Sequence, residues 1–340
     1  MRFESGRCRG PRQIATGGVI ATYIAIAASS FLLWTLPEVS AEAATPTGVT
    51  RLILLGTQGG PRVDGTRAEP ANLLVVRGTP YLIDAGNGVV RQLALVHYQP
   101  PDIHTIFITH NHDDHNADWG TLMGLAWTDG NTKPITVYGP PGTESMLKGY
   151  LQYFAPNAAA HYMESSRVPP ADTMRAHDIL AGGFVYRDQN IKVTAVENCH
   201  YHFAKGTPGY GWQKSYAFRF QTVDRVIVFS GDTGPCGHVI SDFAKGADIL
   251  VHEVIDLESV ERRMRDNIGT DQYERLMNHM RTEHSTAEQV GETAQAAGVK
   301  LVVLSHIVSA GNATADATYV AGVKKAYKGP VVVGRDLMEF

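Results

Sequence analysis

The chain has 340 residues, 44% of them hydrophobic and 19% charged. That is ordinary globular composition, long enough for one large domain or two small ones. The net charge of −4 carries no basic excess, so nucleic acid is an unlikely partner on this count, and no run of acids makes a solvated tail.

The N-terminus stands apart. Arg2, Arg7, Arg9 and Arg12 make a positive stretch, residues 19–36 are uncharged and mostly apolar, and Ala41-Glu42-Ala43 places small residues at its first and third positions. This is the layout of a secretory signal cleaved after Ala43, so 1–43 is expected to be removed and the mature protein to be periplasmic or secreted. The 18 residues of 19–36 also reach the short limit of a spanning helix. An uncleaved anchor is the alternative, and the one route to a stable membrane partner. Residues 44–340 are expected to form a single domain, with no linker or low-complexity stretch inside it.

Residues 51–55 form the first expected strand, ending at Gly56. Residues 72–77 and 80–83 form a hairpin turned at Gly78-Thr79, and 89–97 a helix. A strand at 103–109, a helix at 117–127, a strand at 135–138 and a helix at 144–154 follow. Residues 155–183, with Pro156, Pro169, Pro170, Gly182 and Gly183, are expected to be irregular and to serve as a lid or a homodimer contact. A second series repeats the order. Strands are expected at 191–196, 216–221, 225–230 and 249–252, and a charged helical stretch at 254–281 broken near Gly269. A helix at 285–297, a strand at 301–304, a helix at 315–327 and a strand at 331–333 complete it. Two such halves imply two sheets packed together with helices outside, an α/β architecture.

The chemistry concentrates at His110-x-His112-x-Asp114-His115, just past the 103–109 strand. In extended chain, residues i and i+2 share a face, so His110 and His112 can grip one cation while Asp114 and His115 reach a second as the chain turns. His200, Asp232 and His306 each follow an apolar strand and can gather on the same rim. Imidazole and carboxylate together suit zinc, and manganese or iron accept the same ligand types. His202, two residues past His200, faces the same way and is the weaker candidate. His252 is expected to be buried and structural. Asp84 either holds a metal-binding imidazole or caps its own turn. Cys199 and Cys236 each lie beside a candidate ligand, and either pair or stay free.

Thr109-His-Asn-His-Asp-Asp-His115, His200, Ser230-Gly-Asp-Thr233 and Ser305-His306 together resemble the metallo-β-lactamase superfamily. Leu54-Leu-Gly-Thr57 and Leu82-Ile-Asp-Ala-Gly86 resemble the openings of its ribonuclease Z and arylsulfatase branch. The resemblance implies a four-layer αββα sandwich with two zinc ions. One would be held by His110, His112 and His200, the other by Asp114, His115 and His306, with Asp232 bridging. Asp232 argues against a true β-lactamase, which typically lacks that aspartate. Ribonuclease Z enzymes carry a long substrate-binding arm between the third histidine and the bridging aspartate, whereas only 31 residues (201–231) lie between them here. His252-Glu253, the charged helical insert and His284-Ser-Thr-Ala287 look most like the arylsulfatase-type members.

Two zinc ions lower the pKa of a shared water and supply hydroxide near neutral pH. Asp114 is expected to orient that water, and the resemblance implies that His284 protonates the leaving group. Tyr201, Phe203, Tyr210 and Trp212 either stack on an aryl leaving group or pack together. The expected function is an exported hydrolase of a small-molecule sulfate or phosphate ester, arylsulfatase-like or phosphodiesterase-like. A lactonase or other carbonyl hydrolase on the same site is one alternative, and a non-catalytic metal-binding scaffold the other.

Overall fold

The computed structural model describes residues 49–340, apart from 61, 64, 162, 164–167, 268, 311–313 and the side chains of 266, 267, 270 and 271. The expected signal segment 1–43 lies outside the described residues. Among the described residues no helix is long and apolar enough to cross a membrane.

The first sheet takes six strands in chain order: β1 (Thr50–Gly56), β2 (Ala71–Val76), β3 (Thr79–Ile83), β4 (Thr105–Phe107), β5 (Ile135–Gly139) and β6 (Met174–Asp178). The second has seven: β7 (Gly183–Arg187), β8 (Lys192–Glu197), β9 (Tyr216–Gln221), β10 (Val226–Phe229), β11 (Ile249–Ile255), β12 (Leu301–Val308) and β13 (Val331–Val333), in spatial order β13-β12-β11-β10-β9-β8-β7. The helices are α1 (Val89–Leu95), α2 (Asp113–Asn116), α3 (Trp119–Thr128), α4 (Thr143–Ala160), α5 (Pro170–Thr173), α6 (Val239–Phe243), α7 (Leu257–Asn267), α8 (Thr270–Thr282), α9 (Ala287–Ala297) and α10 (Asp316–Lys324).

The layers follow from period-two alternation in strands buried on both faces. In β1, Ile53 and Leu55 face outward into a core with Leu93 of α1, Leu122 and Trp127 of α3 and Phe154 of α4. Leu52 and Leu54, on the other face, join Phe107, Val193, Phe218, Phe220 and Phe229 between the two sheets. Leu250, Val302 and Leu304 turn away from that interface toward Val290 and Ala294 of α9 and Tyr319 and Val323 of α10. Helix, sheet, sheet and helix therefore stack in the expected αββα order.

Two expectations differ from the structure. Residues 155–183 are not wholly irregular: α4 runs on to Ala160, and the segment supplies α5, the edge strand β6 and the start of the opposite edge strand β7. Both are short edge strands: β6 (Met-Arg-Ala-His-Asp) alternates only over Met174 and Ala176, and β7 (Gly-Phe-Val-Tyr-Arg) does not alternate, so hydrophobic pattern is too brief to reveal them. β12 does not stop at Leu304 but continues through His306 to Val308, pairing with β11 across a register shift between His252 and Val254.

Parallel pairings β3–β4, β10–β11 and β11–β12 point the carboxyl ends of these strands the same way within each sheet. In open α/β sheets this is the edge where ligands bind. Asp84, the His110–His115 segment and Asp232 all follow such ends.

Candidate metal centre

Each site residue is placed by a local backbone device. β4 ends at Phe107, the chain bends at Thr109 and again at Asn111, and His112, at φ −70° and ψ 148°, precedes the single turn of α2. His110 and His112 nonetheless meet, with ring nitrogens 3.1 Å apart, and Asp114 and His115 follow on the helical turn. Asp232 comes off β10 through Gly231 at φ +57°, where a Cβ would lie 2.7 Å from the Tyr216 carbonyl, so glycine is required. His306 itself sits at φ +48° inside β12. That is an uncommon conformation for a non-glycine residue, and it interrupts the strand's alternation at this position.

All seven expected ligands converge. His110, His112, His200 and Asp232 bring one ligand atom each within 4.8 Å of one another, and so do Asp114, His115 and His306. His112 Nδ1 lies 3.1 Å from His110 Nε2 and 3.1 Å from His200 Nε2. Asp232 spans the two groups: its Oδ2 is 3.8 Å from His110 Nε2 and 3.1 Å from His306 Nε2, and its Oδ1 is 3.3 Å from His115 Nε2. Asp114 Oδ2 lies 3.3 Å from His306 Nε2 and 3.6 Å from His115 Nε2. His202 stays outside the cluster, exposed, with Nε2 3.2 Å from the Thr282 carbonyl.

The far sides of these rings are held. Asp84 Oδ2 lies 2.9 Å from His115 Nδ1, while Asp84 Oδ1 accepts the Thr109 N–H at 2.8 Å. The Glu283 carbonyl lies 2.9 Å from His200 Nδ1. Gly60 N–H donates to Asp114 Oδ2 at 2.9 Å, and a Cβ on Gly60 would lie 2.1 Å from that oxygen. Partners of this sort fix ring orientation and carboxylate aim. His252 is buried, with Nδ1 2.7 Å from the Glu253 carbonyl, and takes no place among the ligands.

The ionisation states suit a cation. Burial holds the His110 and His200 imidazoles well below their ordinary value, and lowers His112. Burial opposes ionisation of Asp232, but His306 and His115 outweigh it and hold its carboxyl well below the usual range. Asp114 behaves alike, with burial overcome by His115 and His306. At His115 burial opposes a charge, yet Asp232, Asp114 and Asp84 hold the imidazole well above its ordinary value. His115 Nε2 and Asp232 Oδ1 face each other at 3.3 Å, and among the described residues neither makes a hydrogen bond. Orphaned buried polar atoms are costly, and a shared cation satisfies both. Imidazoles of His110, His112 and His200 held neutral, ionised Asp114 and Asp232 carboxylates and unpaired buried atoms make a donor set that fits a pair of divalent metals, with His115 giving up its proton when a cation takes its place.

His284 lies beside this set. Its ring stacks on His306 at 5.8 Å and 12°, and its Nδ1 is 3.3 Å from Glu253 Oε2. Burial lowers His284, but the Glu253 carboxylate more than reverses this and carries it up to about 9.

Sequence reasoning missed Glu253 as the partner of His284, and His279 altogether. The His279 ring sits 5.5 Å from His284 and 5.9 Å from His200, with Nδ1 2.8 Å from Glu283 Oε2. In sequence it is one polar residue among many on a charged helix, and no spacing marks it. Cys199 and Cys236, left open by sequence, are joined by a disulfide with Cα atoms 5.4 Å apart. Gly234 N–H donates to the Cys199 carbonyl at 3.1 Å. The loops carrying His200 and Asp232 are thus tied together.

The β-lactamase superfamily domain model matches residues 79–307. Ribonuclease Z of Mycolicibacterium gilvum (strain PYR-GCK) is 31% identical over 265 residues, 75% of this chain and 83% of that protein. Ribonuclease Z of Mycobacterium bovis (strain BCG / Pasteur 1173P2) is 29% identical over 292 residues, 84% and 96%. Among solved structures, the metallo-β-lactamase fold protein YhfI from Bacillus subtilis superposes with a TM-score of 0.61 at 16% identity, covering 86% of this chain and 98% of that one. Kinship with proteins named ribonuclease overturns the expectation that nucleic acid is an unlikely partner. That expectation came from net charge, which sums the whole chain and says little about the field at one site.

Proposed function

The chain belongs to the β-lactamase superfamily and is a metal-dependent hydrolase of ester bonds, and we propose that the ester it cleaves is an RNA phosphodiester, at a centre of two divalent metals with zinc the first candidate. His110, His112 and His200 would hold one ion, Asp114, His115 and His306 the other, and Asp232 both. The observation that carries this is the Asp232 carboxylate, buried between the two groups: one oxygen lies 3.8 Å from His110 of the first group and 3.1 Å from His306 of the second, and the other oxygen lies 3.3 Å from His115 of the second. The name of the relatives supports phosphate over a sulfate or carbonyl ester, and a complete ligand set speaks against a non-catalytic scaffold.

Bound there, such ions supply Lewis acidity to the phosphoryl oxygens and acidify a water. The chain's own residues do the rest. Asp114, aimed by the Gly60 N–H, accepts a hydrogen bond from the attacking water and orients it. Asp84 and the Glu283 carbonyl keep the His115 and His200 rings turned inward. His284, kept protonated by Glu253, gives its proton to the departing alkoxide oxygen. The buried floor of the site excludes bulk water from these groups.

We also propose that the protein works in an oxidising compartment, periplasmic or secreted. The Cys199–Cys236 disulfide and the signal-like composition of 1–43 support this. The experiment that tests the function is turnover of methyl p-nitrophenyl phosphate and of a single-stranded RNA by zinc-loaded protein, beside p-nitrophenyl sulfate and a lactone. Cleavage of both phosphodiesters, abolished by chelation, is expected. Turnover of the sulfate or lactone alone would overturn the phosphodiester assignment.

A further inference from the structure

The segment between His200 and β9 leaves the centre as a row of exposed rings. Tyr201 is half-buried at its rim, its ring 4.9 Å from His200, 5.3 Å from His112 and 5.9 Å from His110. Phe203 follows at 5.0 Å from Tyr201, tilted by 34°. Phe203 is 40% exposed, Tyr210 53% and Trp212 50%. One exposed aromatic is unremarkable, but three on a single loop beside a candidate active centre mark a binding surface.

The loop is built rather than loose. Phe203 lies against Gly209, where a Cβ would come within 2.7 Å of the ring. Tyr210 N–H and Trp212 N–H donate to the Thr207 and Gly209 carbonyls. Asn111, between His110 and His112, donates through Nδ2 to Gln213 Oε1 at 3.2 Å. One end of the loop is therefore anchored at His200 and its disulfide-bonded neighbour, the other at the first histidine pair.

Its charge runs against the chain's. No aspartate or glutamate occurs from 198 to 223, while Lys205 and Lys214 stand among the rings, in a protein of net charge −4. Lys214 is paired with Glu197. Lys205 is exposed and has no ion pair among the described residues. Rings for stacking with cations for the backbone are the two components of a single-strand nucleic-acid platform.

Resting on the phosphodiesterase reading, we propose that loop 201–214 seats the unpaired bases flanking the scissile phosphate of an RNA strand, Phe203 and Trp212 stacking on bases while Lys205 faces the backbone. It thereby takes over strand recognition in a chain whose 201–231 segment holds only this loop, β9 and β10 and so has no long arm. Bases, unlike sugars or phosphates, offer a flat face to every ring, so recognition is tolerant of sequence.

The test is fluorescence anisotropy of a labelled single-stranded RNA pentanucleotide and its abasic counterpart, with the full chain in EDTA so that no cleavage intervenes. Removing one stack is expected to weaken RNA binding roughly 10-fold. Phe203→Ala and Trp212→Ala should each do so while the abasic strand is bound within about twofold as before, and Trp212→Phe should retain the RNA affinity. Equal losses for both strands, or none for either, would overturn the proposal. A site for small aryl esters alone would leave the pentanucleotide unbound, which also overturns it. Turnover of methyl p-nitrophenyl phosphate by the unaltered protein is measured separately, so the platform and the phosphodiesterase reading can fail independently.

Discussion

Asp84 and His115 are joined across 2.9 Å, from a carboxylate oxygen to the imidazole Nδ1, at the far side of the ring from the cluster. Asp84 sits at φ +59°, a left-handed conformation that asparagine also tolerates. Asp84→Asn therefore keeps the turn and removes the charge. It should weaken the metal held by His115 about 10- to 100-fold, the usual effect of losing a ligand's outer partner. Competition with a chromophoric chelator measures this, and an unchanged affinity would show that Asp84 only shapes its turn.

The His284–Glu253 pair predicts a leaving-group signature. If His284 donates the proton, His284→Gln should slow esters of poorly acidic alcohols by roughly 10²- to 10⁴-fold. Esters of nitrophenol, which depart without help, should lose far less. Glu253→Gln should move activity in the same direction, because it removes the carboxylate that keeps His284 charged. Rates across a series of methyl aryl and alkyl phosphodiesters read the slope directly. A loss independent of the leaving group would assign His284 to holding His306 in place.

The Cys199–Cys236 disulfide closes a sequence separation of 37 residues and fastens the His200 loop to the Asp232 loop. Replacing both cysteines with serine should cost about 4 kcal/mol of stability through the freed unfolded chain, and should lower metal affinity as well. Urea denaturation of metal-free and metal-loaded protein separates the two effects. A variant equally stable and equally tight for metal would reduce the bridge to an ornament of the fold.

The convergence of the candidate ligands was legible because such side chains are chemically rare and positioned by simple rules. His110 and His112 stand two apart after β4, and His200 and Asp232 follow strand ends. His306 is less simple: it lies within β12 at φ +48°, so counting from the strand end located it for an incomplete reason. The layers were legible because β1, β10 and β11 are apolar on both faces. The edges β6 and β7 were not, since strands exposed on one side and paired on the other carry little pattern. Glu253 and His279 were illegible as site residues because their roles arise from the packing of β11 and α8 around the cluster, which no local spacing encodes. The unlikely role assigned to nucleic acid failed for a related reason: charge was counted over the chain, whereas the acid-free stretch 198–223 is local.

The measurement closest to the centre of the account is the metal content of the full chain after zinc loading and desalting, read by inductively coupled plasma mass spectrometry. Two ions per chain are predicted, falling to one or none in Asp232→Ala, with His112→Ala and His306→Ala each losing one. Protein that retains no metal, or that keeps its full complement when Asp232 is replaced, would contradict it.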